Sequence, residues 1–308
     1  MAMRALLLVV FGLFASTVHA WGNDGHRITG YIADTLLTES TRQHLRELFG
    51  DDDLARLATL LDDNREQIET QHPGAARWHY ENRRVCGSDI QACRQGQCLT
   101  SQLEHFIQVA RDETATRNAR AEAITILVHL LGDLHQPLHL ADNGDRGGND
   151  TWVRFPRDPE PHRLHEVWDS GIVRMNMRRR SPYAYAQMLL RRFNSRLHAW
   201  RIGDVNSWAV ETHRIGVAEA YRTLPDFSCA MRAPPDAKII SLPAEYIASS
   251  RSIVAEQLTK AGVRIAVVLN SALGEHSEDT AVSNLDGHEP PILKGISSMA
   301  FLVVSLLF

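Results

Sequence analysis

The sequence predicts an all-α protein, a single-domain helical bundle with one core. Almost every segment with periodic apolar residues repeats them at helical spacing, and residues 119–135 are so apolar that they are expected to form a helix inside such a bundle. With 308 residues, 44% of them hydrophobic, the chain is long enough for one large core. The exception is 141–163, where Gly, Asp and Pro predict a long loop or a small hairpin.

Capping and stop signals bound the individual helices. Ser101 and Glu104 form a capping box that opens one helix. Ser181, placed before Pro182, opens another, and Gly50 ends an earlier one. Helices are therefore predicted at 26–36, 41–49, 54–61, 101–112, 119–135, 181–200, 204–222, 241–262 and 263–273.

The most informative stretch, residues 127–139, reads L-V-H-L-L-G-D-L-H-Q-P-L-H. His129 and Asp133 are four residues apart, so on a helix both side chains leave the same face and can close on one metal ion. Pro137 ends that helix, and the chain then turns His139 back towards the same place. The stretch predicts a ligand-bearing helix followed by a ligand-bearing turn.

A second pair with the same spacing, His165 and Asp169, offers another imidazole and carboxylate on one helical face. One such pair alone is more often an ordinary surface or core histidine than a ligand. Two pairs flanking the H-Q-P-L-H turn indicate a metal centre. Nitrogen and oxygen ligands without thiolate suit zinc at a hydrolytic site.

Residues 1–20 predict a secretory signal peptide. Arg4 precedes an apolar run, and the tripeptide V-H-A at 18–20 fits signal peptidase. A transmembrane anchor is the alternative, but the apolar run is short for a bilayer. Cleavage would start the mature chain at Trp21, whose freed amine and carbonyl oxygen can chelate a metal, close to His26 at the start of the first helix. The alternative role for Trp21 is a hydrophobic plug.

The mature domain is expected to span residues 21–275, followed by a tail at 276–308. Small residues at 281–284, a polar spacer and the apolar run 296–308 match a signal that is replaced by a glycosylphosphatidylinositol anchor. The alternatives are a tail-anchor helix, for which the run is short, and a retained hydrophobic tail associated with membranes of the secretory pathway.

Four cysteines, an even number, predict disulfides in a chain that enters an oxidising compartment. Cys93 and Cys98 are close enough for a local loop, which leaves Cys86 to reach Cys229 across the fold. A Cys-rich zinc finger is the alternative, and its spacing is absent.

Asn149 begins a glycosylation sequon. We expect a monomer that is secreted or associated with the cell surface or endomembranes.

The formal net charge of -4 argues against a protein that holds nucleic acid through a basic surface, because such binding depends on many Lys or Arg contacts to phosphates. If a polynucleotide binds, metal ions must supply much of the positive charge.

Three weaker candidates lie upstream of the ligand helix. Asp62 and Arg65 share one side of a helix end, although most pairs of this kind are solvated. Tyr80 follows His79 in the run R-W-H-Y-E-N and could stack on a nucleobase, although an aromatic there is more often packed.

Read together, these segments resemble the S1/P1 nuclease family of secreted, zinc-dependent nucleases and 3'-nucleotidases, from Trp21 to about the last helix. The resemblance implies an all-helical domain of the phospholipase C/P1 nuclease type, with three zinc ions in a cleft and an N-terminal tryptophan created by signal cleavage. The two cysteine pairings match the family's disulfides. The C-terminal tail is similar to those of membrane-bound or secretory-pathway nucleases of trypanosomatid parasites.

Carried over residue by residue, the resemblance implies three zinc sites. Their ligands are Asp62, His79, His129 and Asp133 for one, Trp21, His26 and the bridging Asp133 for the second, and His139, His165 and Asp169 for the third. Arg65 matches the arginine that clamps phosphate, and Tyr80 the aromatic that stacks the base. The chain departs from the family at Leu60, often tryptophan, and at Asn82, often aspartate, which leaves base preference open.

The implied activity is hydrolysis of single-stranded DNA and RNA to 5'-phosphorylated products, and removal of phosphate from 3'-nucleotides, by a zinc-activated bridging water that also contacts Asp62. A zinc-dependent phospholipase C is the nearest alternative. The short spacing from Trp21 to His26, and Asp169 where glutamate would stand, favour the nuclease. An alternative of another class is a non-catalytic zinc-binding surface protein.

Overall fold

The computed structural model describes residues 21–87, 93, 96–156, 160–229 and 239–274. Most of these residues are helical, which confirms the all-α prediction. The predicted signal peptide at 1–20 and the tail at 276–308 lie outside the described residues, so both stay predictions. In the part of the chain that is described, no helix combines the length and the apolar character needed to cross a membrane.

The helices follow one another along the chain with short connections. They are α1 (Asn23–Leu36), α2 (Glu39–Phe49), α3 (Leu54–Asp63), α4 (Arg65–Gln71), α5 (Leu99–Arg111), α6 (Arg117–Asp133), α7 (Leu164–Glu166), α8 (Ile172–Met177), α9 (Pro182–Arg192), α10 (Val205–Ile215) and α11 (Ala244–Leu273). Two π-helical turns, Val167–Gly171 and Gly216–Tyr221, continue α7 and α10. Short 3₁₀ turns occur at Ala75–Arg77, Pro137–His139, Asn194–Arg196 and Ala199–Arg201.

Side-chain caps explain where several helices begin. The Ser181 hydroxyl accepts a hydrogen bond from the Ala184 backbone N–H at the start of α9. Asp204 and Ser207 form a reciprocal capping box at the start of α10. Each cap satisfies a backbone donor that has no partner inside its helix, so both predicted starts are confirmed.

Some predicted boundaries are wrong. Helix α5 begins at Leu99, with Cys98 as its N-cap, so Ser101 lies inside the helix and does not cap it. Helix α9 ends at Arg192 because the chain passes into 3₁₀ turns before residue 200. The sequence does not predict α4, whose single apolar residue, Ile68, gives no helical periodicity.

The last two predicted helices are one continuous helix, α11. Gly262 lies inside it, where a Cβ atom would stand 2.5 Å from the Ile32 Cβ and 2.8 Å from the Thr29 carbonyl oxygen of α1. The glycine therefore marks the closest approach of two helices, a role that the sequence alone does not distinguish from a helix end.

The predicted hairpin in 141–163 is confirmed. Strands β1 (Trp152–Arg154) and β2 (Pro161–Arg163) pair antiparallel, and a third strand, β3 (Ile240–Ser241), adds to β1 in parallel. The order of strands in this small sheet is β2-β1-β3. The sequence does not predict β3, which is two residues long.

Two disulfides join Cys86 to Cys229 and Cys93 to Cys98, as predicted. Cys86 immediately follows the segment that carries His79 and Tyr80, so the long-range disulfide ties this segment to the chain after α10.

Buried apolar side chains form two clusters instead of the single core that the sequence predicts, and helices α1 and α11 contribute to both. One cluster contains most of the apolar residues of α6, and the other contains Trp21 and Trp168. Helix α6 is buried without interruption from residue 126 to residue 133. Its polar residues in that range are therefore enclosed by the fold.

Candidate metal centre

The two polar residues in the buried part of α6 are His129 and Asp133, both 0% exposed. The His129 Nε2 atom lies 3.3 Å from an Asp133 oxygen, as the i,i+4 spacing predicts. His26, near the start of α1, brings its Nε2 within 3.4 Å of the other Asp133 oxygen and stacks on the His129 ring. These three side chains form a first group whose ligand atoms could hold one ion.

A second group combines Asp62, His79 and His129. Asp62 lies in the last turn of α3, and its carboxylate lies 4.0 Å from the His129 Nε2. The His79 Nδ1 lies 2.9 Å from Asp133 and 3.2 Å from the His129 Nε2. His129 therefore belongs to both groups, and Asp133 of the first group also contacts His79 of the second.

A third group contains His139, His165 and Asp169, all buried. The His139 and His165 rings stack at 5.1 Å, and the His165 Nε2 lies 3.3 Å from an Asp169 oxygen. Asp169 belongs to the π-helical turn that continues α7, so the pair is adjacent although its helix is not a regular α-helix. The His139 Nδ1 lies 3.9 Å from Asp133, which links this group to the others.

Three histidine rings are oriented by backbone carbonyl groups. The Nδ1 atoms of His129, His139 and His165 lie 2.6–2.7 Å from the carbonyl oxygens of Ala58, His79 and Gly147, respectively. A ring that donates from Nδ1 keeps its Nε2 lone pair for another partner. This is the usual arrangement of metal-binding histidines, in which an outer hydrogen bond fixes the tautomer and the ring orientation.

Several atoms that face one another at this centre are buried without hydrogen bonds. Among the described residues, His26 Nδ1 and Nε2, Asp133 Oδ1, His139 Nε2 and His165 Nε2 have no hydrogen-bond partner. Buried polar atoms are rarely left unpaired, because their desolvation is costly. Imidazole nitrogens and carboxylate oxygens in this state form a donor set that fits a cation such as zinc.

The protonation states of the third group fit a metal site. Burial lowers the pKa of His139 to about 3 and that of His165 to about 4, so both rings are neutral at physiological pH, as ligands must be. Burial raises the pKa of Asp169 well above its ordinary value, and the negative Asp133 and Asp62 add to this. A buried carboxyl group that resists ionisation is stabilised as a carboxylate by a nearby cation.

Trp21 lies against the centre and is 0% exposed. Its indole Nε1–H donates to the Gly132 carbonyl oxygen, 2.8 Å away, on the residue before Asp133. The backbone N–H of Gly22 donates to the Asp169 carbonyl oxygen at 3.1 Å. The Trp21 side chain therefore packs in the apolar core, as the alternative of a hydrophobic plug predicts. Through these two hydrogen bonds, residues 21–22 contact both the segment that carries Asp133 and the segment that carries Asp169.

The predicted substrate contacts lie along the chain next to the second group. Arg65 pairs with Asp62 at 3.3 Å, and the two side chains are 26% and 3% exposed, so the alternative of a fully solvated pair is wrong for Asp62. Tyr80 and Asn82 follow His79 in an irregular segment, and both are half-buried. Asn149 is half-buried at the surface loop before β1, and its amide donates to the Arg146 carbonyl oxygen.

Gln136, which lies in the H-Q-P-L-H turn between the ligands Asp133 and His139, was not predicted from the sequence. Its side-chain amide donates to Asp169 Oδ1, and its oxygen accepts from the Leu138 N–H at 2.5 Å. Gln136 is 0% exposed. A buried amide in a ligand turn is the one signal that would have pointed to it, because it can support a ligand from a distant segment.

His135, in the same turn, is not part of any metal group. Its Nδ1 lies 2.7 Å from the Leu131 carbonyl oxygen, and its Nε2 accepts from an Arg264 Nη1 at 2.9 Å. Burial and the adjacent Arg264 lower its pKa to about 3. This ring joins α6 to α11 through hydrogen bonds.

An all-α fold that gathers buried histidines and aspartates into three adjoining groups defines a helical, metal-binding protein. The chain belongs to the S1/P1 nuclease family, whose profile matches residues 21–274. It is therefore a nuclease, and the family predicted from the ligand segments is confirmed.

Relatives from plants and fungi agree with this assignment. The chain is 25% identical over 295 residues to "Endonuclease 2" of Arabidopsis thaliana, covering 87% of this chain and 96% of that protein. It is 28% identical over 279 residues to "Nuclease S1" of Aspergillus oryzae, covering 83% and 93%. It is 27% identical over 159 residues to "Nuclease P1" of Penicillium citrinum, covering 49% and 57%.

Proposed function

We propose that the protein is a trinuclear-zinc phosphoesterase that cleaves single-stranded DNA and RNA to 5'-phosphorylated products and removes phosphate from 3'-nucleotides. The observation that carries this proposal is the cluster of buried His and Asp atoms that face one another without hydrogen bonds. Membership of the S1/P1 nuclease family supports nucleic acid as the substrate and favours it over a phospholipid.

The ligand assignment follows the three groups. Asp62, His79, His129 and Asp133 would hold one zinc ion, Trp21, His26 and Asp133 a second, and His139, His165 and Asp169 the third. The central position of Asp133, within 3.4 Å of His26 and 2.9 Å of His79, supports its role in two sites. Trp21 would contribute its amine and carbonyl oxygen once signal cleavage has freed the amine.

When bound, zinc supplies Lewis acidity, which lowers the pKa of water and offsets negative charge on a phosphate. The chain's own residues do the rest. The Arg65 guanidinium, partly exposed beside the buried Asp62, donates a forked pair of hydrogen bonds to the phosphate. Asp62 accepts a hydrogen bond from the attacking water and holds it in line.

Tyr80 and Asn82 select the base. Tyr80 offers a ring for stacking, and Asn82 offers an amide to the base edge. A base can reach them only when it is unpaired, and taking one out of a duplex costs a few kcal/mol. Single strands are therefore the preferred polymers.

The secretory route supports the same proposal. Disulfides form in oxidising compartments, and both disulfides are present in the fold. We place the mature enzyme in the secretory pathway, with residues 1–20 removed and residues 276–308 as a tail that associates with membranes or is exchanged for a lipid anchor.

The test compares substrates on the purified mature protein. We expect phosphate release from a 3'-nucleotide, cleavage of a single-stranded oligonucleotide to 5'-phosphorylated products, slow cleavage of the duplex and no hydrolysis of phosphatidylcholine. A chelator should stop the reaction and added zinc should restore it. Hydrolysis of phosphatidylcholine without cleavage of the oligonucleotide would contradict the proposal, as would activity that survives complete removal of metal.

A further inference from the structure

The arginines of this protein are unevenly distributed. Residues 170–203 contain eight arginines and no aspartate or glutamate. Because the whole chain carries a formal charge of -4, the rest of the chain carries -12. The net charge of the whole chain therefore conceals one strongly basic segment. The argument from net charge against a basic surface for nucleic acid does not apply to this segment.

All eight arginines are exposed. They are Arg174, Arg178, Arg179, Arg180, Arg191, Arg192, Arg196 and Arg201. Of these, only Arg196 forms an ion pair within the part of the chain that the structure describes, with Glu256 at 2.8 Å. The remaining charges face solvent without an acidic partner among the described residues, which favours binding of a polyanion.

Five of these residues, Arg178, Arg179, Arg180, Arg191 and Arg192, form what we call the arginine patch. The first three make the turn between α8 and α9, and the last two end α9. The two ends of this 11-residue helix are separated by about 15 Å. The patch is therefore long enough to follow several phosphates of an extended strand.

The two ends of the patch also act on one buried hydroxyl. Burial raises the pKa of Tyr185 to about 12, and the charges of Arg192 and Arg180 work against this rise. Both ends of the patch therefore contribute positive potential at the same buried side chain of α9.

The patch is attached to the elements of the metal centre. Helix α8 continues directly from the π-helical turn that carries Asp169, and Arg178 lies about 13 Å further along at helical rise. Helix α9 packs against α1, which carries His26. The patch therefore begins about two and a half helical turns from a ligand of the centre.

The residue types favour a single-stranded polynucleotide. Guanidinium forks match phosphate oxygens in pairs. Tyr183, 55% exposed between the two groups of arginines, has its ring edge-on to Tyr31 at 5.3 Å and offers a face to an unpaired base. Helices that lie on membranes add a row of exposed apolar side chains, whereas Met175 and Tyr183 are the only large apolar side chains exposed on the described part of α8 and α9.

We propose that the arginine patch is a second contact surface for the phosphate backbone of a single-stranded polynucleotide whose scissile bond lies at the metal centre. The inference rests on the proposed nuclease function and adds to it a preference for polymers. It assigns Arg178–Arg180 a role in binding and none in the chemical step.

The test uses the zinc-loaded enzyme with Arg178→Gln, Arg179→Gln and Arg180→Gln combined. A control triple variant, Arg56→Gln, Arg214→Gln and Arg222→Gln, removes the same charge from exposed positions on other elements. We expect the patch variant to raise the KM for a 20-nucleotide single strand about tenfold. The salt slope of its binding should fall by about 2, because each phosphate that is no longer neutralised accounts for about 0.7. The kcat/KM for a dinucleotide should stay at the wild-type value in both variants.

Dinucleotide cleavage by the wild type separates failure of the proposed function from failure of this inference. If the wild type cleaves no dinucleotide, the proposed function fails, and the patch is judged by the anisotropy of a labelled 20-nucleotide strand and its salt slope. Equal polymer KM and equal slopes in the patch and control variants would overturn the inference. So would a patch variant that keeps strand binding and loses binding to phosphatidylserine vesicles. If the triple variant loses dinucleotide cleavage, Arg191→Gln with Arg192→Gln replaces it.

Discussion

The indole N–H of Trp21 donates to the carbonyl oxygen of Gly132, 2.8 Å away, in the last turn of the helix that carries His129 and Asp133. The residue predicted to begin the mature chain is thus attached directly to the central ligand helix. Its ring is fully buried, so its position is fixed by packing as well as by the hydrogen bond.

Replacing this ring tests the attachment. Trp21→Phe keeps the backbone groups and removes the indole donor, and we expect a loss of stability of about 2 kcal/mol together with weaker retention of zinc. The control is Trp208→Phe, which removes an indole bond of 2.9 Å to the Ile202 carbonyl oxygen on a different part of the fold. Thermal unfolding with zinc analysis after dialysis gives both readouts. Equal zinc retention in the two variants would show that Trp21 is only a core residue.

Gln136 positions a ligand of the third group. We expect Gln136→Leu to weaken zinc binding at that site by about 10- to 100-fold, because Asp169 loses the amide that orients its carboxylate. The matched control is Gln102→Leu, which removes another buried amide, bonded to the Gly96 carbonyl oxygen. Zinc titration with a competing chelator measures the affinities. A Gln136→Leu enzyme with all its sites at wild-type affinity would contradict this role.

Arg65 is expected to act on the substrate and not on the metal. Arg65→Gln should lower kcat/KM for a 3'-nucleotide on the order of 100-fold, because the forked donor to the phosphate is removed while the ligand set is intact. The control is Arg56→Gln, which changes an exposed arginine of α3 paired with Asp52 and should leave kcat/KM unchanged. Loss of zinc in Arg65→Gln would mean that Arg65 supports the Asp62 ligand and does not bind phosphate.

Asp34 on α1 makes stability depend on pH. Burial, with Asp53 nearby, raises its pKa from 3.8 to about 7. The folded state therefore holds this proton more tightly than the unfolded state, so the stabilisation is complete below pH 3.8 and is lost as the pH rises towards 7. Asp34→Asn can keep the hydrogen bond from the Leu54 N–H. Its free energy of unfolding at pH 8 should exceed that of the wild type by roughly 2 kcal/mol, a figure already reduced for partial exposure.

Melting temperatures at pH 5, 6 and 8 measure this effect as the difference between variant and wild type, in which pH effects on the zinc ligands cancel. The difference should widen steadily with pH. A difference that is the same at all three values would show that Asp34 ionises normally.

The ligand pair on α6 was predictable because two residues four positions apart on a helix lie on the same face. His129 and Asp133 meet on α6 as the i,i+4 rule requires, and the apolar neighbours that predict burial do enclose them. The hairpin in 141–163 was equally local, since the Gly-, Asp- and Pro-rich composition of this range predicts loops and short strands rather than a helix.

Features that depend on distant neighbours were not predictable. Gly262 resembles a helix end, yet it is inside α11 because α1 packs closely there. The support from Gln136 to Asp169 joins residues 33 positions apart, and no periodic pattern connects them. Helix α4 has a single apolar residue, so its sequence contains no helical periodicity from which it could be predicted.

The zinc content of the purified protein, measured together with its N-terminal sequence, tests the central claim most directly. We expect three zinc ions per chain and a first residue of Trp21, in agreement with the three groups around Asp133. A mature chain that begins elsewhere, or a fully active protein that holds one zinc ion or none, would contradict the account.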